Sequence, residues 1–153
     1  MTSRLRVWAA LFIVFVTLPV TASAQIVINE LSCAASDWVE IYNSSGSTVN
    51  LLDWEIYWTD STGSGTFVLP DFDIAPGAHV QLRENTGTNG ADYLYLGGNI
   101  GWAASEEGSL TLFNPSGIDK DFVRWGGATN YPPTGTTQWI NYSDLPTPAP
   151  KAI

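Results

Sequence analysis

The sequence predicts an all-β fold, an antiparallel sandwich of about eight short strands. Three observations carry that expectation. Apolar and polar residues alternate with a period of two in Val39-Glu40-Ile41, Val80-Gln81-Leu82 and Leu110-Thr111-Leu112. Turn chemistry separates such runs at spacings of about a dozen residues. Past the first two dozen residues no stretch carries the periodicity of an amphipathic helix.

The N-terminal segment reads as a cleaved signal peptide, residues 1–24. Arg4 and Arg6 make a positive start, Val7 to Val20 is an apolar run, and Ala22-Ser23-Ala24 is a small-residue cleavage site. The run is shorter than the ~20 residues a spanning helix needs, so no membrane insertion is expected after cleavage. What remains is one domain, residues 25–136, and a Pro-rich tail, residues 137–153.

The strands follow in order. Ile26–Leu31 is rich in branched residues. Ser32–Ser36 is a small-residue loop, and Asp37–Asn43 alternates, with Val39 and Ile41 on one side and Trp38, Glu40 and Tyr42 on the other. Asn43-Ser44-Ser45-Gly46 is a turn. Val49 and Leu51 begin the next apolar set, and Asp53 marks a bend. Trp54-Glu55-Ile56-Tyr57-Trp58 alternates again. Thr59 to Gly65 reads as a loop, Phe67–Leu69 as a short strand stopped by Pro70, and Pro76-Gly77 as a turn. His79–Arg83 is a strand with Val80 and Leu82 inward. A polar loop, Glu84–Asp92, leads to a short edge strand at Tyr93–Leu96. Ala103–Glu107 is a candidate helical turn. Ser109–Phe113 and Asp121–Trp125 are the last strands.

Charge narrows the partners. Loss of the leader leaves Arg83, Lys120, Arg124 and Lys151 against fifteen acidic residues, about −11 overall. Nucleic-acid binding needs clustered Lys and Arg to release counterions, and that cluster is missing from the sequence. A single cysteine, Cys33, cannot form an internal disulfide, so core burial must hold the domain together. Cys33 is either a small apolar residue or a thiol that pairs with another chain.

Several pieces together resemble the lamin tail domain family. They are Ile28-Asn29-Glu30-Leu31, Asp37-Trp38-Val39-Glu40-Ile41-Tyr42-Asn43, Val49-Asn50-Leu51 with Trp54, Leu69-Pro70, Ile74-Ala75-Pro76-Gly77, Gly108–Leu112 and Val123-Arg124-Trp125-Gly126. The resemblance covers Ile26 to Thr136. It implies an immunoglobulin-like β-sandwich that binds or scaffolds and has no activity of its own. The leader and the lack of coiled-coil heptads make this chain similar to the exported bacterial members.

Glu30 and Glu40 sit in apolar strands. They would suit the acid and base of a small hydrolase, but are better read as structural carboxylates that fix strand register, with Glu30 and Asn29 closing the Ser32–Ser36 loop. His79 lies on the outward phase of its strand and reads as a solvated residue; no nucleophile elbow accompanies it, and Cys33–His79 is too few ligands for zinc. The acidic pairs Asp71/Asp73, Glu106/Glu107 and Asp119/Asp121 read as loop charges, leaving only weak Ca2+ binding open. No cofactor is expected. Asn43 and Asn141 head N-x-S glycosylation sequences. The aromatic residues give the binding candidates: Trp38 and Tyr42, in one phase, and Trp102. The expected function is that of an exported, secreted or cell-surface (or periplasmic) interaction module whose partner is a protein or a surface glycan. A carbohydrate-binding module using these aromatics is the alternative.

Overall fold

The computed structural model describes residues 26–32, 37–99 and 107–126. The candidate leader, Cys33, Trp102, Glu106, the helical turn before Glu107, Asn141 and the tail lie outside the described residues. Those described form ten strands and no helix. One sheet has the order β1 (Ile26–Ser32), β2 (Trp38–Asn43), β7 (His79–Arg83), β8 (Tyr93–Tyr95). The second has the order β10 (Asp119–Trp125), β9 (Gly108–Phe113), β4 (Glu55–Asp60), β5 (Ser64–Val68). A small ladder pairs β3 (Val49–Asn50) with β6 (Asp73–Ile74). The expected all-β sandwich is the fold.

The core sits between the two larger sheets. Val39, Ile41, Val80 and Leu82 from the first sheet and Ile56, Leu110 and Leu112 from the second are fully buried. Trp54 is buried as well, and Trp58 packs against this cluster half-buried. These are the inward residues that alternation predicts, because a period of two sends one set to the core.

Four details differ from the sequence reading. First, β4 runs on to Asp60 and β5 begins at Ser64, so most of the expected Thr59–Gly65 loop is hairpin. Asp60 Oδ1 shapes its turn by accepting from Thr62 N at 2.6 Å, Thr62 Oγ1 at 2.6 Å and Gly63 N at 2.9 Å. Second, β3 and β6 are two-residue strands, too short to show periodicity. Third, β8 is an edge strand as expected, but it runs parallel to β7. Fourth, β10 begins at Asp119, two residues before the expected Asp121, and Asp119 is fully buried rather than a loop charge.

Two β-bulges set the phase of the outer strands. In β1, Ile28 pairs with Ile41 but Glu30 pairs with Glu40, so Asn29 is the extra residue. The bulge lets Ile28 and, three residues on, Leu31 both face the core, where their partners are Ile41 and Val39. It thereby turns Glu30 outward. In β10 the register shifts between Asp119 and Asp121. Asp121 then lies in the phase of Val123, at the sandwich edge. Its Oδ2 accepts the Ile28 backbone N–H at 2.7 Å, joining the edge strands of the two sheets.

Asn43 ends β2 and is fully buried. Its Nδ2 donates to Ser47 O and Ile74 O, both at 2.8 Å. Its Oδ1 accepts from Ser45 N at 3.0 Å and Ser45 Oγ at 2.6 Å. A glycan on Nδ2 has no place in this fold, so the Asn43 sequence is not a glycosylation site of the folded domain.

Candidate functional site

The outer face of the first sheet gathers the residues with chemistry to offer. Alternation points Trp38, Glu40 and Tyr42 of β2 away from the core. In β7 the same phase holds His79, Gln81 and Arg83. The register places Trp38 opposite Arg83, Glu40 opposite Gln81 and Tyr42 opposite His79. The parallel strand β8 adds Tyr93 beside Gln81 and Tyr95 beside Arg83. Three rows result across the strands: Trp38–Arg83–Tyr95, Glu40–Gln81–Tyr93 and Tyr42–His79.

The side chains in these rows are in contact. His79 stacks on Tyr42, with centroids 4.6 Å apart and planes 27° apart. Arg83 lies over the Tyr93 ring, 4.1 Å from its centroid, and its Nε donates to Gln81 Oε1 at 2.6 Å. Tyr93 and Tyr95 meet edge to face at 6.1 Å. Gly87 and Gly90, in the loop before β8, press against the rings of Tyr95 and Tyr93; a methyl group at either position would fall on the ring. The rings of Trp38, Tyr42, Tyr93 and Tyr95 are half-buried, whereas the His79 side chain is 45 % exposed.

At the Trp38 end the face deepens into a cleft of about 350 Å3. Asp37, Trp38, Arg83, Glu84, Asn85 and Tyr95 line it. Backbone bonds fix its rim. Glu84 N donates to Asp37 O at 3.2 Å, and Asn85 N donates to Gly98 O at 2.7 Å. Asn85 has φ of 64°, the left-handed conformation that Asn tolerates and that turns the chain out of β7.

The predicted carboxylates stand elsewhere. Glu30 is exposed, and Glu40 is partly exposed; they face each other across β1 and β2. Neither lines the cleft. The reading of Glu30 as a structural carboxylate therefore needs correction: the bulge at Asn29 turns it to solvent. Glu40 Oε1 accepts from Asn29 Nδ2 at 2.7 Å and lies 4.0 Å from His79 Nε2. These contacts offset the cost of opposed like charges. His79 is outward as expected, but its ring belongs to the aromatic face rather than to solvent alone.

Other candidates have structural partners. Asn50 Nδ2 bridges Asp71 Oδ1 at 2.6 Å and Asp73 Oδ1 at 2.8 Å. Burial pushes the Asp121 carboxyl above its ordinary value, opposed by backbone N–H bonds from Ile28 and Phe122. Among the described residues no group of three or more His, Cys, Asp and Glu side chains is arranged to hold a metal ion.

The comparison with known families decides the assignment. The family model described as Lamin Tail Domain matches residues 19–127. The chain belongs to the lamin tail domain family. That match covers the whole sandwich, and the family is one of immunoglobulin-like domains without a catalytic activity of their own. A search of curated proteins found no match. This lamin tail domain thus carries its aromatic face on the sheet that the sequence motif Trp38-Val39-Glu40-Ile41-Tyr42-Asn43 helps to build. Sequence reasoning found Trp38 and Tyr42 from their phase. It missed Arg83, Glu84, Asn85, Tyr93 and Tyr95. The Tyr93-Leu94-Tyr95 alternation was a usable signal, but joining it to Trp38 requires the β2–β7–β8 register.

Proposed function

We propose that this lamin tail domain is an exported, non-catalytic interaction module, and that the outer face of its first sheet is the binding surface. One observation carries this reading: three adjacent strands bring Trp38, Tyr42, His79, Arg83, Tyr93 and Tyr95 onto one partly exposed face. Aromatic and Arg side chains supply most binding energy where they are held rigid and partly desolvated. The contacts described above hold Tyr42, Tyr93 and Tyr95 in place before a partner arrives. The basic start, apolar run and Ala22-Ser23-Ala24 site support export and a partner outside the cell, either a protein or a surface glycan. A non-catalytic role is supported by the position of Glu30 and Glu40, neither of which lines the cleft beside Trp38.

The test has two readouts. The mass of the protein recovered outside the producing cells is expected to correspond to a chain beginning at Gln25. The purified mature domain is expected to bind the surface of those cells, and Trp38→Ala is expected to weaken that binding about tenfold or more. Val68→Thr, at an exposed site on the other sheet, should leave it unchanged. An unprocessed chain retained inside the cell would overturn the exported role. Equal binding by Trp38→Ala and the parent would overturn the assignment of the face.

A further inference from the structure

We propose that the cleft at the Trp38–Arg83–Tyr95 end of the sheet binds one or two rings of an uncharged saccharide; this rests on the reading of the same face as the binding surface. The lining argues for that ligand class. Trp38 and Tyr95 flank Arg83 in one cross-strand row, so the cleft has aromatic walls on both sides of a polar centre. A pyranose has apolar C–H faces that stack on such rings and an equatorial belt of hydroxyl groups that both donate and accept. The polar groups of the cleft match that belt. Arg83 offers a guanidinium fixed by Gln81 and Tyr93. Glu84 offers a carboxylate acceptor, and Asn85 an amide that does both.

Charge and shape oppose other ligands. Asp37 and Glu84 outnumber Arg83 in the lining, on a chain of net charge −9, so an anionic sugar or phosphate is repelled. A purely apolar ligand would bury Arg83 and Glu84 without partners, which is costly. A peptide added as a further strand would need the outer edge of β8. That edge is occupied: Tyr95 N donates to Asn89 Oδ1 at 2.8 Å, and Gly90 N donates to Tyr93 O at 2.9 Å. The volume of about 350 Å3 lies at the small end of ligand clefts, roughly 300–1,000 Å3. It suits a chain end or a short saccharide.

The cleft also comes pre-formed. Gly87 and the edge-to-face Tyr93 ring pin Tyr95, and Asn85 is clipped to Gly97 and Gly98 by backbone hydrogen bonds. Little ordering is left to be done on binding.

The mature domain is applied to an array of neutral and acidic glycans, and hits are measured by calorimetry with the corresponding free saccharides. Binding to neutral glycans is expected, weakened about tenfold or more by Trp38→Ala and by Tyr95→Ala. Glu84→Gln, which keeps the shape and removes only the charge, is expected to weaken it several-fold. Leu52→Ser, at an exposed site away from the face, is expected to bind as the parent. Thermal melts establish that each variant is folded; if Trp38→Ala or Tyr95→Ala does not fold, Glu84→Gln decides. A blank neutral array, a preference for acidic glycans, or parent-like affinity in the folded cleft variants overturns the proposal. If the array is blank while cell-surface binding still depends on Trp38, the saccharide class falls and the interaction module stands. If neither binding occurs, both fall.

Discussion

Asn43 ties the end of β2 to the turn after it and to β6. Its side chain makes four hydrogen bonds from a fully buried position, two to backbone carbonyls and two from Ser45. Asn43→Ala would leave the Ile74 carbonyl buried without that donor and empty the turn. A loss of about 2–4 kcal/mol is expected from urea denaturation, since each orphaned buried group costs about 1–3 kcal/mol. Asn43→Asp keeps the acceptor atom for Ser45 but sets a carboxylate against two carbonyl oxygens, and should be no milder. Asp121 makes a second prediction at this scale. Burial raises its folded-state pKa, so the folded chain holds that proton more tightly than the unfolded chain. Its contribution to stability is therefore full at acid pH and is lost as pH rises through the folded value. Asp121→Asn removes the titration. The stability gap between parent and variant should be widest below the ordinary carboxylate value of about 4 and narrow toward neutrality. A gap that stays constant across a pH series would contradict the buried position of this group.

Strand phase at the level of elements explains which parts of the fold the sequence revealed. Regular alternation in β2, β7 and β9 made Val39, Ile41, Val80, Leu82, Leu110 and Leu112 readable as core. The bulge in β1 broke the rule: counting by twos from Ile26 and Ile28 sends residue 30 inward, whereas Asn29 interrupts the count. Deleting Asn29 should restore a plain strand in which Ile28, Glu30 and Leu31 keep Ile41, Glu40 and Val39 as partners and Glu30 still faces outward. No charge is buried, so the deletion is expected to keep a cooperative melt by circular dichroism and to cost about 1 kcal/mol through loss of the Asn29–Glu40 hydrogen bond. Asn29→Gly, which keeps the bulge, should cost about 1 kcal/mol or less. The hairpin of β4 and β5 was hidden for a different reason. Ser64-Gly65-Thr66 has loop composition, and becomes strand because Gly65 pairs with Trp58 and lies beneath its indole. A methyl group at Gly65 would stand 2.7 Å from Trp58 Nε1. Gly65→Ala should therefore cost about 1–3 kcal/mol through displacement of the ring. The candidate site was half legible on the same grounds. Phase within one strand gave Trp38 and Tyr42. The neighbours of Trp38 depend on register between strands far apart in sequence, and on a parallel pairing that no short turn announces.

For the whole molecule, the balance of charge sets the response to salt. The chain carries net −9, and its carboxylates sit on many parts of one small domain, so compaction works against self-repulsion. Raising ionic strength from about 10 mM to about 150 mM shortens the screening length from about 30 Å to about 8 Å. The melting midpoint should therefore rise by a few degrees in NaCl. Calcium chloride at matched ionic strength separates screening from binding. Asn50 already donates to both Asp71 and Asp73, which reduces the appeal of that pair to a cation. Millimolar calcium should thus raise the midpoint no more than NaCl does, and calorimetry should record no binding heat. A larger rise with calcium, abolished by Asp71→Asn with Asp73→Asn, would mean that the cation displaces the Asn50 amide. It would also mean that stability of the β3–β6 ladder is coupled to calcium. Without that excess, the acidity acts through long-range repulsion alone, which is strongest at low salt and fades as salt rises.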